Sequence, residues 1–155
     1  MEPSLSLQED QIEWSLLLEA LVGAAEKGAQ LARACRAEEL LFQLLVEEKA
    51  GSDRNPRFVH DFKTLADVLI QEMVRHDLSC LCLFEVPVII CGACLVSDST
   101  SEYISGKWGD EDEGSSVVSS GLQCVSVLIG VYDRSTGLPV AGVVNQPFHH
   151  LDDQN

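Results

Sequence analysis

Basic side chains are scarce in this chain, and no region of it concentrates them. The 155 residues include 10 Lys and Arg against 25 Asp and Glu, which gives a formal net charge of −15 at pH 7. Nucleic-acid binding depends on neutralising phosphates with Lys and Arg, so this balance argues against a nucleic-acid partner. A polyanionic ligand would need help from metal ions, because bound cations can reverse the local field.

The sequence also lacks a basic, then apolar, start of the kind that marks a secretory signal. We therefore expect a cytoplasmic protein, in which its six cysteines stay reduced. Internal repeats and low-complexity tracts are absent as well. A chain of this length is sufficient for one domain with a real core, and we take residues 1–155 as that single domain.

Leu78–Val96 is the one long apolar stretch, and it stands out as an atypical insert or junction. Glu85 and Pro87 interrupt it, and a membrane-spanning helix needs about 20 mostly apolar residues. We predict a buried strand pair and no membrane span. The stretch holds four cysteines whose spacing is not one of the strong zinc patterns, so buried structural thiols are favoured over zinc ligands; they are Cys80, Cys82, Cys91 and Cys94.

Hydrophobic periodicity predicts helices in the first half of the chain. Apolar residues recur at three- and four-residue steps, which is typical of one long amphipathic helix after a loose start at Met1–Asp10. They are Leu17, Leu21, Ala24, Gly28, Leu31 and Cys35, followed by Leu40, Leu41, Leu44 and Leu45. These stripes are predicted to be core, with an exposed face for a protein partner as the alternative. A loop at Ala50–Pro56 and a second helix at Thr64–Arg75 follow.

The last part of the chain has the pattern of a β-hairpin. Gly121–Tyr132 and Leu138–Val144 are rich in β-branched residues, and the polar segment 133–137 separates them. Together with the helices, this hairpin predicts an α+β fold of layered helices and sheets.

Asp98, Ser99 and Thr100 lie between the apolar stretch and a helix-like segment. Magnesium prefers carboxylate and phosphate oxygens, and the unpaired N–H groups of a helix start favour anions. Asp98 would hold metal while Ser99 and Thr100 hold phosphoryl oxygens. The alternative is a plain helix N-cap, since Asp, Ser and Thr dominate caps.

Thr64 and Asp67 also have two interpretations. A hydroxyl followed three residues later by a carboxylate is the pattern of a capping box. A carboxylate at Asp67 is also the kind of group that acts as a general base on water beside a metal. From the local sequence alone, the cap is the simpler explanation.

Several longer segments, in the same order, resemble the inositol polyphosphate 1-phosphatase family, within the inositol monophosphatase superfamily. They are Ala-Arg-Ala-Cys-Arg at 32–36, Leu-Phe-Gln-Leu-Leu-Val-Glu-Glu-Lys at 41–49, Asp-Phe-Lys-Thr-Leu-Ala-Asp-Val-Leu at 61–69, Asp-Ser-Thr-Ser-Glu-Tyr-Ile at 98–104, Gly-Leu-Gln-Cys-Val-Ser-Val-Leu-Ile-Gly-Val-Tyr-Asp at 121–133 and Gly-Val-Val-Asn-Gln-Pro-Phe at 142–148. Long matches are far more specific than any tripeptide.

The resemblance implies an inositol monophosphatase-type fold and a magnesium-dependent, lithium-inhibited phosphomonoesterase. The expected substrates are inositol 1,4-bisphosphate and inositol 1,3,4-trisphosphate, which lose the 1-phosphate. In the family's Asp-Pro-Ile-Asp-Ser-Thr motif, Asp98 matches the second Asp, a metal ligand. Ser99 and Thr100 match the phosphate-contacting pair. Asp67 matches a carboxylate at the metal site that activates the attacking water together with Thr100.

The chain departs from this pattern in three places. Leu95-Val96-Ser97 replaces Asp-Pro-Ile, so the bridging metal ligand is missing. The interval that should carry a Gly-Glu-Glu ligand segment contains Glu85 as its single acid, and the later Trp-Asp segment would lie beyond Asn155. We expect a truncated relative, in which a splice variant or gene-model error has replaced the ligand segment. A non-catalytic binding or interaction protein is the alternative function.

Two other polar clusters have simple explanations. Asp110–Glu113 is predicted to be a solvated loop, with calcium binding as a remote second choice because its acids lack alternating ligand spacing. His149 and His150, beside Asp152 and Asp153, are predicted to be a solvated tail, although metal binding is their other interpretation.

Overall fold

A computed structural model describes residues 5–44, 46–53, 62–79, 88–95, 97–109 and 118–149 of the chain. Helices and two small antiparallel sheets make up the fold, which is α+β in class. In chain order the elements are α1 (Leu5–Ala37), α2 (Glu39–Leu44), β1 (Val46–Glu48), β2 (Phe62–Thr64), α3 (Leu65–Ser79), β3 (Val88–Leu95), α4 (Ser97–Ser105), β4 (Val127–Asp133) and β5 (Pro139–Asn145). Short 3₁₀ turns occur at Gly51–Asp53 and Leu122–Cys124.

The predicted long helix is confirmed as α1, although it begins at Leu5 and not after Asp10. The side chains on the buried face of α1 are mostly small. Leu17 and Leu21 are followed there by Ala24, Ala25, Gly28, Ala29 and Ala32. Small side chains let a helix approach its neighbours closely. A methyl group at Gly28 would lie 3.1 Å from Val127 Cγ1 and 3.3 Å from Ile70 Cγ2. Helix α1 is therefore pressed against both α3 and the sheet.

The apolar side chains of α2 do not all join the core. Leu40 is 85% exposed and Leu44 is 80% exposed, so the prediction that both are core residues is wrong. Phe42 is buried instead, because this six-residue helix can turn only one narrow face inward. The predicted Leu17 stripe lies in the core and not on a partner face. Among the α1 side chains that the structure describes, the exposed large apolar ones are Trp14, Leu16, Leu18 and Val22.

The three-stranded sheet has the order β3-β4-β5, with both pairings antiparallel. The β4–β5 hairpin confirms the prediction, except that its first strand starts at Val127, after the 3₁₀ turn, and not at Gly121. Helices α1 and α3 pack on the face of this sheet that carries Val127, Ile129 and Val131. These alternate residues of β4 are all buried, as expected for a strand with one core-facing side.

Of the strand pair predicted within Leu78–Val96, the structure describes one strand, and residues 80–87 lie outside the described residues. Leu78 and Ser79 complete α3, and Val88–Leu95 forms a single strand that pairs with β4. A continuous apolar run shows that a segment is buried but does not show which strand it pairs with. Among the described residues, no helix is long and apolar enough to cross a membrane.

The hairpin turn is organised by one carboxylate. Asp133 Oδ1 accepts hydrogen bonds from the hydroxyl and the N–H groups of Ser135 and Thr136, at 2.6 to 2.9 Å. The Ser135 hydroxyl and then the two Thr136 donors lower the pKa of Asp133 to about 2. Gly137, at φ 69°, completes the turn in a conformation that favours glycine.

The smaller sheet pairs β1 with β2 and places Val46 opposite Thr64. Strand β2 runs directly into α3, so Thr64 lies at the junction of a strand and a helix. Helix α4 packs against β2 as well. Thr64, in β2, and the Asp98–Thr100 segment, in α4, therefore lie on two elements that contact each other.

Candidate functional site

Helix α3 begins with the predicted capping box. The Thr64 N–H and hydroxyl donate to Asp67 Oδ2 at 2.7 and 2.9 Å, and the Asp67 N–H donates to Thr64 Oγ1 at 3.3 Å. These bonds satisfy donors that a helix start would otherwise leave unpaired. They also hold the Asp67 carboxylate in one orientation. Asp67, which completes the capping box with Thr64, is therefore also the predicted general base.

Alanine at Thr64 is expected to lower the free energy of unfolding by about 1 to 2 kcal/mol, because the cap hydroxyl is lost at a buried position. Serine at Thr64 keeps the hydroxyl and is expected to recover most of that stability. Chemical denaturation of the two variants measures the difference. Equal destabilisation by Ala and Ser would show that the hydroxyl contributes nothing to the cap.

Burial raises the pKa of the Asp67 carboxyl above its ordinary value, although the hydrogen bonds from Thr64 and the positive charge of Lys49 oppose that rise. A raised carboxyl pKa favours proton acceptance, because a base works best when its pKa approaches the working pH. Burial also raises the pKa of Tyr103, and the negative charge of Asp67 adds to this effect.

The Asp98–Thr100 segment forms the first turn of α4, which begins at Ser97. The helix thus starts before the motif, whereas the sequence suggested a helix only after Thr100. The Thr100 side chain is 4% exposed, and Tyr103 lies one turn further along α4. The side chains of Asp98 and Ser99 lie outside the described residues, so their roles as metal ligand and phosphate contact stay predictions.

Tyr103 fixes α4 to α1. Its hydroxyl donates to the Ala32 carbonyl at 2.7 Å, and its ring meets Phe42 edge-on with centroids 4.9 Å apart. The Arg36 guanidinium lies 5.1 Å from the Phe42 ring centroid. Sequence reasoning gave no role to Tyr103 or Arg36. Both belong to segments that carry the family resemblance, which is the only signal that could have pointed to them.

Few of the side chains that the structure describes could act as metal ligands at this site. No group of three or more His, Cys, Asp or Glu side chains that could hold a metal occurs among the described residues. Asp67 uses Oδ2 for its bonds to Thr64. With Asp98, whose side chain is not among those described, it would make two carboxylates, which is the number that magnesium typically takes beside waters and substrate phosphates. Two carboxylates are short of the ligands for a two-metal site.

Most of the other sequence candidates are not among the residues that the structure describes. Cys80 and Cys82 lie outside the described residues, as do the side chains of Cys91 and Cys94 and the whole of Asp110–Glu113 and His150. His149 is exposed. A surface pocket of about 420 Å³ lies beside the small sheet and shares Thr64 with the site. The rest of its lining is mostly apolar: Leu44, Val46, Leu65 and Val68, with Glu47 and Lys63.

Comparison with curated proteins gives strong matches to one kind of enzyme. The mouse (Mus musculus) inositol polyphosphate 1-phosphatase is 33% identical over 204 aligned positions, which cover 86% of this chain and 51% of the mouse protein. The human (Homo sapiens) and bovine (Bos taurus) inositol polyphosphate 1-phosphatases are each 32% identical over 207 positions, covering 88% of this chain and 52% of theirs. This chain is similar in sequence to the inositol polyphosphate 1-phosphatases. The resemblance stated from the sequence is thereby confirmed, although no family model matches the chain.

The chain spans about half the length of the curated relatives that it matches. The mouse alignment runs over 204 positions, but 86% of 155 residues is only about 133, so about 70 aligned positions of the mouse phosphatase face no residue of this chain. The matched region of the mouse phosphatase thus contains about 70 positions, in one or more gaps, that have no counterpart in this chain.

Proposed function

We propose that this chain has the activity for which its relatives are named and hydrolyses the 1-phosphate of inositol polyphosphates. The proposed substrates are inositol 1,4-bisphosphate and inositol 1,3,4-trisphosphate, and the proposed setting is phosphatidylinositol signalling in the cytoplasm. The main support is the match to the inositol polyphosphate 1-phosphatases, together with the packing of α4 on β2. That packing places α4, which carries the Asp98–Thr100 turn, beside β2, and β2 runs directly into the first turn of α3, which carries Asp67.

The roles of the side chains follow from this arrangement. Asp67 would accept the proton of the attacking water, because its carboxylate is held in one orientation by the hydrogen bonds from Thr64. Thr100, buried on the same face of α4 as Tyr103, would orient that water. Ser99 and the N–H groups of the first turn of α4 would hold the phosphoryl oxygens, since a helix start favours anions.

We propose magnesium as the cofactor and lithium as an inhibitor. Asp98 and Asp67 would hold the ion. When bound, magnesium stabilises the charge on the phosphoryl oxygens and lowers the pKa of a bound water. A local cation is also needed to bring a phosphorylated ligand to a chain with a net charge of −15.

The test is phosphate release from inositol 1,4-bisphosphate by the purified chain, with and without magnesium. We expect release that requires magnesium, is reduced by lithium and is lost in Asp98→Asn. The matched control is Glu102→Gln, a carboxylate on the same helix that accepts a hydrogen bond from the Gly121 N–H at 3.0 Å and lies outside the proposed site. Absence of release by a chain shown to be folded would refute the proposal.

One observation favours a second function, that of a non-catalytic relative. We propose that most of the roughly 70 unmatched positions fall between Leu78 and Asp98, where the resemblance breaks off and resumes. That interval would carry the missing metal ligands. A non-catalytic relative would act, if at all, by binding a partner protein through exposed apolar residues such as Trp14 and Leu18.

Magnesium binding separates these two functions. An enzyme would bind magnesium tightly and in a manner that depends on Asp98, whereas the non-catalytic relative would bind it weakly or not at all. Isothermal titration of the wild-type chain and Asp98→Asn with magnesium makes the comparison. Sequencing the transcript across the codons for Leu78–Asp98 would show whether this interval is the native one.

A further inference from the structure

Helix α4 has no basic residue in its own last turn. The C-terminal end of a helix carries partial negative charge, and a cation placed there is favourable. Gly106 ends α4 at φ 65°, and its N–H donates to the Glu102 carbonyl at 3.0 Å. This is the left-handed glycine cap that commonly closes a helix.

A cation from another helix lies at this end. Arg36, in the last turn of α1, has its guanidinium directly against Gly106, so that a methyl group on Gly106 would overlap it. The Phe42 ring is another neighbour of the guanidinium. Arg36 thus supplies the positive charge that α4 lacks, while Tyr103 ties the middle of the same helix to Ala32.

Packing alone does not explain a guanidinium at position 36. Its Nε is buried and has no hydrogen-bond partner among the residues that the structure describes. A buried donor without an acceptor costs stability, and an apolar side chain of similar size would avoid that cost. The position therefore carries a charged group at some expense to the fold, which points to a role beyond filling space.

We infer that Arg36 is a positioning residue: it holds the end of α4 and thereby fixes the Asp98–Thr100 turn relative to Asp67. Helix α4 has nine residues and is about 13 Å long, so a rotation at Gly106 moves its first turn. Thr100 and Asp67 lie on separate elements, and their alignment depends on how α4 is held. This inference rests on the proposed phosphatase function.

The experiment compares Arg36→Gln and Arg36→Lys with Arg33→Gln. Arg33 is the matched control because it lies one turn earlier on α1 and donates to the Pro147 carbonyl at 2.9 Å, not to α4. Arg36→Lys is the milder change, since it keeps the stem and charge but loses the planar guanidinium. Two readouts are used: amide hydrogen exchange of α4, and kcat and KM for phosphate release from inositol 1,4-bisphosphate with magnesium.

Arg36→Gln is expected to speed exchange in α4 several-fold while α3 exchange stays unchanged, and Arg36→Lys, which keeps the positive charge, is expected to have a smaller effect. The expected fall in kcat is about tenfold to a hundredfold, because small misplacements of catalytic groups are costly. Arg33→Gln is expected to leave α4 exchange and kcat as they are. Equal effects of the Arg33 and Arg36 variants, or unchanged α4 exchange in both Arg36 variants, would overturn the inference. If the wild-type chain releases no phosphate, the proposed function fails, and the α4 exchange alone decides whether Arg36 holds this helix.

Discussion

Alanine at Gly121 is expected to destabilise the fold by about 3 kcal/mol or more, which is a large share of the roughly 5 to 15 kcal/mol by which a folded domain is typically stable. Gly121 has φ 91° and ψ −177°, a conformation that is essentially restricted to glycine and costs other residues about 1 to 3 kcal/mol. The added methyl group would also fall on the backbone of Trp108 and Gly109. Backbone atoms cannot rotate away as a flexible side chain can, so two segments would have to separate.

The separation would break the link between α4 and the sheet. The Leu122 N–H donates to the Lys107 carbonyl at 2.9 Å, and the Gln123 amide bonds both the N–H and the carbonyl of Gly109, at 2.8 and 3.2 Å. These bonds tie the segment after α4 to the 3₁₀ turn before β4. A substitution at Gly121 is therefore expected to displace α4, and with it the part of the candidate site that α4 carries.

Gly137→Ala is the matched control for this prediction. Gly137 has φ 69°, but a methyl group there would meet no atom within 4 Å. It is expected to cost only the conformational strain of about 1 to 2 kcal/mol. Thermal or chemical denaturation of both variants makes the comparison. If Gly121→Ala were no less stable than Gly137→Ala, the close approach of the two backbone segments would be disproved.

Local patterns were sufficient to predict the elements whose own residues determine them. The three- and four-residue steps from Leu17 predicted α1, and the Thr64–Asp67 pair predicted the start of α3. The polar turn at 133–137 predicted the hairpin, because Asp133 organises that turn with its immediate neighbours. Each of these features depends on interactions between residues that are only a few positions apart in the sequence.

Features that depend on distant partners were not predictable in the same way. The pairing of Val88–Leu95 with β4 is decided by a strand some 40 residues later, and its apolar sequence offers no register signal. Leu40 is exposed although its sequence neighbours suggested a core stripe, because α2 is too short to bury two faces. Arg36 serves a helix that begins 61 residues away at Ser97, so no local spacing could show its role.

The second large effect is expected at Asp67. Asn at this position is expected to lower kcat for phosphate release by about 10²- to 10⁴-fold, the usual contribution of a general base. Asn keeps the shape of the side chain and one acceptor oxygen for Thr64, so the helix cap should largely survive. Steady-state kinetics with inositol 1,4-bisphosphate and magnesium, beside circular dichroism of the same samples, separates loss of chemistry from loss of fold. Full activity in folded Asp67→Asn would remove this residue from the mechanism.

The pH dependence of stability offers a test of the Asp67 environment that does not need activity. Burial raises the folded-state pKa of Asp67 above the ordinary value of 3.8, so the folded chain binds the proton more tightly than the unfolded chain. Its contribution to the free energy of unfolding is greatest below that ordinary value. The contribution then declines as pH rises through the raised pKa. Asp67→Asn cannot titrate, so the stability of wild type relative to this variant should fall over the same range.

Asp77, at the other end of α3, provides a control of opposite sign. The hydrogen bond from Lys27 Nζ, at 2.6 Å, lowers the folded-state pKa of Asp77 below 3.8. Its contribution is present above the ordinary pKa and is lost as pH falls through the lowered one. Denaturation of wild type, Asp67→Asn and Asp77→Asn from about pH 3 to about pH 7 covers both transitions. The two wild-type-minus-variant differences should change in opposite directions with pH. A difference for Asp67 that grows with pH, as expected for Asp77, would mean that its hydrogen bonds from Thr64 outweigh burial and that the carboxyl is a weaker base than proposed.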